Sequence, residues 1–230
     1  MKVDSMHVGE LMKLITRNRI TQRRFRVELS PQTALDYLAA CYRWHVEYRG
    51  GTFRMDENME QVMIKLANYL TQEMPKFGLM FCGTCGNGKT TLVLALQLMV
   101  NTLSRQNHFT FLDKDFHIGF EVMDVREILQ MAKDIDKFRE LKRRDMLAID
   151  DMGKEPTEIM NYGNVLNPVV ELIEYRYNRQ LFTVITTNLN PREIKQKYGT
   201  RIADRFNEML EVIVFKDGSY RNNDKQRGST

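Results

Sequence analysis

The sequence is short of the residues that characterise disordered or disulfide-bonded chains. It has five prolines and thirteen glycines in 230 residues, too few for long disordered tracts. Its three cysteines, Cys41, Cys82 and Cys85, are an odd number without regular spacing, which suits a reducing compartment. The N-terminus lacks the apolar segment of a signal peptide, and no stretch approaches the ~20 apolar residues of a membrane span. We therefore expect a cytoplasmic protein with no membrane partner.

The composition is that of a folded protein with a mild excess of positive charge. Apolar residues make up 43% of the chain and charged residues 28%, which allows one ordinary domain with a real core plus a small extra module. The net charge of +4 permits a polyanionic partner without requiring one. Two basic clusters stand out, one within residues 17–26 and the other formed by Lys137, Arg139, Lys142, Arg143 and Arg144. Each could contact nucleic acid or simply be a solvated helix face.

The first part of the chain is helical in pattern. Ser30-Pro31 predicts the start of a helix that ends at Gly50-Gly51, and Asp56 could cap the next one. The Gly50-Gly51-Thr52 break places a boundary near residue 54. We predict a helical N-terminal partner-binding module at residues 1–54 and a main domain at residues 55–230.

The main domain alternates between strand-like and helical segments. Strands are predicted at 79–82, 109–112, 146–149, 181–186 and 212–215, and helical sequence covers 89–103, 122–144, 165–178 and 191–209. Alternation of this kind predicts an α/β fold, with a parallel sheet flanked by helices on both faces.

A glycine-rich segment follows the first strand of this domain and opens a helix. It reads Gly83-Thr84-Cys85-Gly86-Asn87-Gly88-Lys89-Thr90, which meets the P-loop spacing G-x(4)-G-K-T in full and continues into Thr91. In a P-loop the backbone N–H groups wrap phosphates, Lys89 would reach the β- and γ-phosphates, and the Thr90 hydroxyl would bind Mg²⁺. We therefore predict ATP and Mg²⁺ as ligands. Cys82 and Cys85 are interpreted as small residues packed around the loop, because a zinc site would lack its other two ligands.

Polar side chains end two later strands. Asp150 and Asp151 follow the apolar residues of the strand predicted at 146–149. The first acid would hold Mg²⁺, and the second would activate the water that attacks the phosphate. A glutamate is common at the second position, so slow turnover by an ATP-switched scaffold is an alternative. Asn188 follows the next strand and would meet the acids at the carboxyl edge of the sheet, where open α/β sheets bind ligands. It could then hydrogen-bond the γ-phosphate or the water.

Two arginines lie one helical turn apart near the end of the domain. Arg201 and Arg205 share a helix face, either as a salt-bridged surface or as an arginine finger offered to ATP on a neighbouring subunit.

Taken together, these motifs resemble the AAA+ domain of the DnaC/DnaI-type helicase loaders over residues 55–221. The resemblance is carried by the P-loop, by Ile149-Asp150-Asp151-Met152-Gly153, by Thr186-Thr187-Asn188-Leu189 and by Tyr198-Gly199-x-Arg201-x-x-x-Arg205, with Glu174-Tyr175-Arg176-Tyr177-Asn178 and Gly218-Ser219-Tyr220-Arg221 in support. The transposition helper ATPase IstB is similar over the same core.

The resemblance implies a P-loop ATPase without a C-terminal helical lid, in which Arg201 is the arginine finger and Arg221 a second sensor. It also implies single-stranded DNA and a replicative helicase as partners, and head-to-tail homo-oligomers in the ATP-bound form. Some loaders carry an N-terminal zinc site, and residues 1–54 lack the ligands for one. A transposition helper and, in another class, a small-molecule P-loop kinase remain the alternatives to a helicase loader.

Overall fold

The structure, a computed structural model, describes residues 7–17, 24–105, 119–156, 159–161 and 164–216. The helices are α1 (Val8–Arg17), α2 (Pro31–Tyr48), α3 (Glu57–Thr71), α4 (Lys89–Arg105), α5 (Val125–Met131), α6 (Ile135–Arg143), α7 (Pro168–Arg179), α8 (Pro191–Tyr198) and α9 (Thr200–Met209). The strands are β1 (Gly78–Gly83), β2 (Phe120–Asp124), β3 (Met146–Met152), β4 (Ile159–Asn161), β5 (Asn164–Leu166), β6 (Phe182–Thr187) and β7 (Leu210–Phe215).

Five of the strands form one parallel sheet in the order β2-β3-β6-β1-β7. Buried side chains lie on both of its faces, in one cluster with α2, α3 and α4 and in another with α5 to α9. The predicted α/β fold with a flanked parallel sheet is therefore confirmed. Strand β6 lies between β1 and β3, although it follows both in sequence. This order brings together the carboxyl ends of β1, which leads into the P-loop, of β3, which carries the two acids, and of β6, which ends before Asn188.

Local sequence signals fix several helix starts. The Ser30 hydroxyl accepts a hydrogen bond from the Thr33 N–H at 3.0 Å, and the Asp56 carboxylate accepts one from the Met59 N–H at 2.8 Å. Helix α2 starts at a proline and ends at Tyr48, and Arg49 caps it before the glycine pair. These caps satisfy N–H groups that have no partner within the helix, so the predicted boundaries are confirmed.

The helical sequence predicted over residues 122–144 is confirmed for most of its length, as α5 and α6, but the prediction is wrong at its start and misses the break at residues 132–134. Its first part belongs to strand β2, which pairs with β3 so that Asp124 lies opposite Asp150. Asp124 then caps α5, and Asp134 caps α6 after a short break. The apolar residues of 122–129 fit a helical spacing, and only pairing with β3 decides that the first of them are extended. The strand predicted at 109–112 lies outside the described residues.

Two further features differ from the sequence-based prediction. The helical segment 191–209 is divided at Gly199, which has φ of 85°, into α8 and α9. An antiparallel hairpin, β4 with β5, precedes α7 and was not predicted. Strands of three residues carry too little alternation to be recognised from sequence.

The N-terminal segment packs into the core of the main domain. Phe25 lies 4.7 Å from Phe182, measured between ring centroids, and the Val27 N–H donates a hydrogen bond of 2.8 Å to the Leu70 carbonyl. The buried side chains of α2 belong to the same cluster as those of α4. Within the described residues, the predicted boundary near residue 54 therefore does not separate two hydrophobic cores. A partner-binding role for residues 1–54 stays a prediction.

A buried arginine joins the amino ends of the two strands that lead to the site. Arg176 is 0% exposed and donates hydrogen bonds to the carbonyls of Arg144 and Phe182, at 2.7 and 2.6 Å, and to the Thr183 hydroxyl at 2.8 Å. Burial lowers the pKa of Arg176 to about 9. The guanidinium thus fixes the amino ends of β3 and β6 relative to α7.

Candidate nucleotide-binding site

The P-loop joins β1 to α4 and is shaped by its glycines. A Cβ atom on Gly83 would lie 2.5 Å from the Asn87 side chain and 2.7 Å from the Phe215 carbonyl. Gly86 and Gly88 have φ of 84° and 90°, in the left-handed region that other residues rarely adopt. The loop therefore folds tightly at the carboxyl end of β1, and the N–H groups of the first α4 turn have no helical acceptors of their own.

Lys89 lies across the loop with its ammonium group held by neutral acceptors. Its Nζ atom donates hydrogen bonds to the carbonyls of Gly83 and Thr84, at 2.8 and 2.7 Å, and to the Asn87 side-chain oxygen at 3.0 Å. The residue is 5% exposed. Burial lowers the pKa of Lys89, and the Asp151 carboxylate is the strongest influence in the opposite direction. A buried cation with neutral partners is well placed to attract a phosphate anion.

The hydroxyl of Thr90 and the carboxylate of Asp150 meet between α4 and β3. The Thr90 Oγ1 atom lies 3.0 Å from both carboxylate oxygens. The Thr186 hydroxyl donates a further hydrogen bond of 2.5 Å to the same group. Burial raises the pKa of Asp150, which these two hydroxyls partly oppose. A hydroxyl and a carboxylate beside a phosphate loop are oxygen ligands of the kind that Mg²⁺ takes together with water and phosphate, so the residues present fit the metal.

Asp151, the next residue of β3, has a strained backbone conformation. Its φ of 59° is uncommon for a residue other than glycine, and its N–H donates a hydrogen bond of 2.8 Å to the Thr186 hydroxyl. The Asp151 carboxylate pairs with Lys154 and its side chain is 24% exposed. Asp150 is bonded by two hydroxyls whereas Asp151 pairs with a lysine, so the two neighbouring acids have different surroundings.

Thr186 and Thr187 were recognised only as small polar residues, and the structure gives both a definite contact. Thr186 is fully buried and connects the two acids, whereas the Thr187 hydroxyl donates to the Met152 carbonyl at 2.6 Å. A Thr-Thr pair at the end of a buried strand was the available signal. Asn188 comes directly after β6 and is exposed. Its place at the edge follows from the register, since Thr187 pairs with Met152.

The two arginines of α9 have different environments. Arg205 is only 11% exposed in its side chain, forms an ion pair of 2.6 Å with Glu174, and covers the Tyr177 ring at 4.9 Å. Arg201 is 75% exposed and lies 3.3 Å from the same carboxylate through its Nε atom. Arg205 therefore packs against α7, whereas most of Arg201 is available to another molecule.

Most cations of the second basic cluster have partners within the chain. Lys142 pairs with Glu171 and Arg144 with Glu121. Lys137 pairs with Asp134, which caps α6, and Arg139 pairs with Asp136. Arg143 is exposed and has no ion pair among the described residues. In the first cluster, Arg19 and Arg23 lie outside the described residues, Arg24 covers the Phe77 ring at 4.8 Å, and Arg26 is exposed. Internal pairing reduces the attraction of the second cluster for phosphates.

The sequence-based predictions also concern the cysteines, possible metal clusters, membrane spans and the chain end. Cys41, Cys82 and Cys85 are free thiols, and burial raises the pKa of Cys82 to about 11. Across the described residues, no group of three His, Cys, Asp or Glu side chains could hold a metal ion. None of the described helices combines the length and apolar character needed to cross a bilayer. Arg221 and the chain end, where a lid would lie, fall outside the described residues.

The fold is similar to that of proteins of known structure. The DnaC helicase loader superposes with a TM-score of 0.55 at 20% identity, over 71% of this chain and 93% of the other. DnaI superposes with a TM-score of 0.49 at 20% identity, over 71% of this chain and 87% of the DnaI chain. AMPPCP-bound DnaA from Aquifex aeolicus superposes with a TM-score of 0.46 at 14% identity, over 74% of this chain and 50% of the DnaA chain.

Sequence comparisons gave no relative. No protein-family model matches the chain, and no curated protein matches it either. At 20% identity the likeness to DnaC shows the fold alone: an α/β domain with a parallel sheet flanked by helices.

Proposed function

We propose that this protein binds ATP with Mg²⁺, hydrolyses it, and uses the cycle to load a replicative helicase onto single-stranded DNA. The observation that supports nucleotide binding best is the contact between Thr90 and Asp150 at 3.0 Å. It joins the P-loop helix to the acidic strand through two oxygen ligands, with the buried ammonium group of Lys89 in the same loop.

Each side chain has a definite part in this proposal. The Lys89 ammonium exchanges its carbonyl partners for β- and γ-phosphate oxygens, which are charged and therefore stronger acceptors. Thr90 and Asp150 hold Mg²⁺, which supplies charge neutralisation at the phosphates. Backbone N–H groups of the loop, from Gly83 to Thr91, surround the phosphate chain.

Hydrolysis requires a base for the attacking water and a group that orients it. Asp151 is the proposed base, and the exposed Asn188 orients the water or the γ-phosphate from the neighbouring strand end. The Asp151 carboxylate already forms an ion pair with Lys154. Turnover therefore requires this ion pair to open, which supports a slow basal rate.

The exposed Arg201 supports a site that is completed between subunits. An arginine finger adds positive charge to the transition state and is worth roughly 10³–10⁵ in rate in other NTPases. Because Arg201 is largely exposed, a neighbouring copy could receive it. We therefore propose a head-to-tail homo-oligomer that forms with ATP, in which Arg205 keeps Arg201 in place through Glu174.

The helicase part of the proposal draws on the DnaC fold. DnaC is described as a helicase loader, and this chain covers 93% of that structure. The proposed DNA contact draws on the basic clusters, of which Arg26 and Arg143 are exposed members without an ion pair among the described residues. The helicase contact is proposed for residues 1–54.

The decisive experiment measures ATPase rate with and without single-stranded DNA at low and moderate salt, beside Lys89→Ala and Asp151→Asn. We expect Lys89→Ala to lose nucleotide binding and Asp151→Asn to retain binding but lose turnover. A rate that changes with DNA, and less so as salt rises, supports the polyanion contact. Normal hydrolysis by both variants would contradict the site.

A pull-down with the replicative helicase of the same cell then tests the partner. Capture of the helicase in the ATP state, and transfer of that helicase to DNA, is the expected result. Capture of a transposase instead would assign the protein to the transposition helpers. Phosphate transfer from ATP to a nucleoside, rather than to water, would assign it to the kinases.

A further inference from the structure

The turn that follows Asp151 is held by a group of buried polar side chains. Glu155 is 4% exposed, and both of its carboxylate oxygens accept hydrogen bonds. The Gly153 N–H donates to one oxygen at 2.8 Å, and the Tyr198 hydroxyl donates to the other. Tyr198, at the end of α8, is 7% exposed. A charge buried this deeply is kept only where its partners are well placed, so the turn and the helix end are bound tightly.

A lysine of the same helix holds the backbone of that turn. The Lys197 Nζ atom donates hydrogen bonds to the carbonyls of Gly153 and Glu155, at 2.6 and 2.5 Å. It also lies 3.8 Å from the Glu155 carboxylate, which it helps to neutralise. We refer to Gly153, Glu155, Lys197 and Tyr198 as the turn clamp.

The turn held by the clamp is the one that carries Asp151. The Asp151 carbonyl accepts a hydrogen bond of 3.2 Å from the Lys154 N–H, and the Lys154 side chain pairs with the Asp151 carboxylate. Gly153 has φ of 110°, and a Cβ atom there would lie 2.7 Å from the Leu189 side chain. The turn therefore packs directly against the segment that follows β6 and cannot change shape without moving a neighbour.

The helix side of the clamp leads to Arg201. Tyr198 ends α8, Gly199 forms the corner, and α9 starts at Thr200, so Lys197 and Arg201 are four residues apart in sequence. Arg201 and Arg205 then reach Glu174 of α7. The clamp is thus the contact between the turn that carries the proposed base and the helix pair that carries the proposed finger.

We propose that the turn clamp makes the acidic turn and helices α8 and α9 one mechanical unit, with Glu155 and Lys197 as positioning residues for Asp151 and Arg201. A movement of Asp151 as nucleotide binds would then be passed to Arg201, which faces a different nucleotide. The catalytic part of this inference rests on the proposed ATPase function. Among the described residues, the hydrogen bonds of Glu155 and Lys197 join the turn to α8 and do not involve the P-loop, so both act through the residues they hold.

The first test compares Lys197→Met and Glu155→Gln with Lys195→Met, an exposed lysine of the same helix. We expect Lys197→Met and Glu155→Gln to lower kcat by roughly 10-fold or more, as outer contacts to catalytic groups do, with KM nearly unchanged. Lys195→Met should match the wild type. Loss of thermal stability with an unchanged kcat, measured well below the melting temperature, would show a purely structural role and overturn the inference.

The second test does not depend on hydrolysis. Hydrogen–deuterium exchange is compared between wild type and Glu155→Gln for residues 151–155 and for α8 and α9. We expect exchange to become faster in both places together, because one contact holds both. Faster exchange in the turn alone would overturn the inference. If the wild type fails to hydrolyse ATP, the proposed function fails while this measurement still decides on the clamp.

A milder variant guards against loss of the fold. Tyr198→Phe removes one hydrogen bond from Glu155 and keeps both the ring and Lys197. It should give the same pattern with smaller changes in exchange and kcat. Should Lys197→Met fail to fold, an effect of Tyr198→Phe on α8 alone, with the turn unchanged, would overturn the inference.

Discussion

The Thr186 hydroxyl donates a hydrogen bond of 2.5 Å to the carboxylate of Asp150. The same oxygen accepts the N–H of Asp151 at 2.8 Å. One buried hydroxyl of β6 therefore orients the proposed metal ligand and fixes the backbone from which the proposed base extends. This contact exists only because β6 lies beside β3 in the sheet.

Thr186→Val should weaken Mg²⁺-dependent nucleotide binding by roughly 10-fold or more, the usual effect of losing a contact that orients a metal ligand. The change keeps the side-chain shape and leaves a buried N–H without its acceptor, which costs about 1–3 kcal/mol. The matched control is Thr187→Val, whose hydroxyl bonds the Met152 carbonyl instead of the acids. Equal losses of Mg²⁺ dependence in the two variants would contradict this role of Thr186.

Asp150→Asn should make the nucleotide-free protein more stable at neutral pH. Burial raises the pKa of Asp150, so the folded state binds this proton more tightly than the unfolded chain does. Stability therefore falls as pH rises through the folded pKa, and the charged form is disfavoured above it. We expect a melting temperature higher by about 2–4 °C, the shift given by ~1 kcal/mol in a domain of this size.

The gain in Asp150→Asn should disappear as the pH is lowered through the raised pKa of Asp150, because the wild-type carboxyl is then protonated as well. The variant should lose the stabilisation that Mg²⁺ and ATP give the wild type. Asp204→Asn, at an exposed position, controls for the change in net charge. A less stable variant at neutral pH would contradict the assigned cost of burying this charge.

ATP should protect Cys85 from alkylation. This thiol is exposed within the P-loop, whereas burial raises the pKa of Cys82 to about 11 and also raises the pKa of Cys41. A maleimide at neutral pH should therefore modify Cys85 first, since the thiolate is the reactive form. Mass spectrometry of the labelled peptides gives the rates, with Cys85→Ser to identify the site. An unchanged Cys85 rate at saturating Mg·ATP would mean that nucleotide does not cover the loop.

The two arginines of α9 should separate stability from stimulated turnover. Arg205→Ala removes a mostly buried ion pair to Glu174 and the cation over Tyr177, and should lower the free energy of unfolding by about 2 kcal/mol or more. Arg201→Ala should leave the melting temperature unchanged and abolish turnover that depends on assembly. Mixing Arg201→Ala with Lys89→Ala should restore activity if the arginine acts on the neighbouring nucleotide. Equal melting temperatures of the two arginine variants would contradict this assignment.

Much of the fold was predictable because its signals are local. The caps at Ser30 and Asp56 and the spacing of the P-loop each act within a few residues, so the sequence alone identifies them. Strand β2 was missed because the apolar residues of 120–124 are compatible with the spacing of a helix as well as with that of a strand. Pairing with β3 decides that they form a strand. The hairpin of β4 and β5 is too short to carry a pattern. The roles predicted for Asp150, Asp151, Asn188 and Arg201 stay predictions that the experiments above address.

The sequence by itself determined which chemical groups the chain carries and in what order: a phosphate loop, a pair of acids, a polar strand end and a pair of arginines. Their order along the chain does not determine which of them touch. The tertiary structure placed β6 between β1 and β3, and so brought Thr186 to Asp150. It also buried Arg205 against α7 while leaving Arg201 exposed, and it connected Glu155 to Tyr198. These distinctions depend on contacts between residues far apart in sequence, whose geometry is set by packing of the whole sheet and its helices.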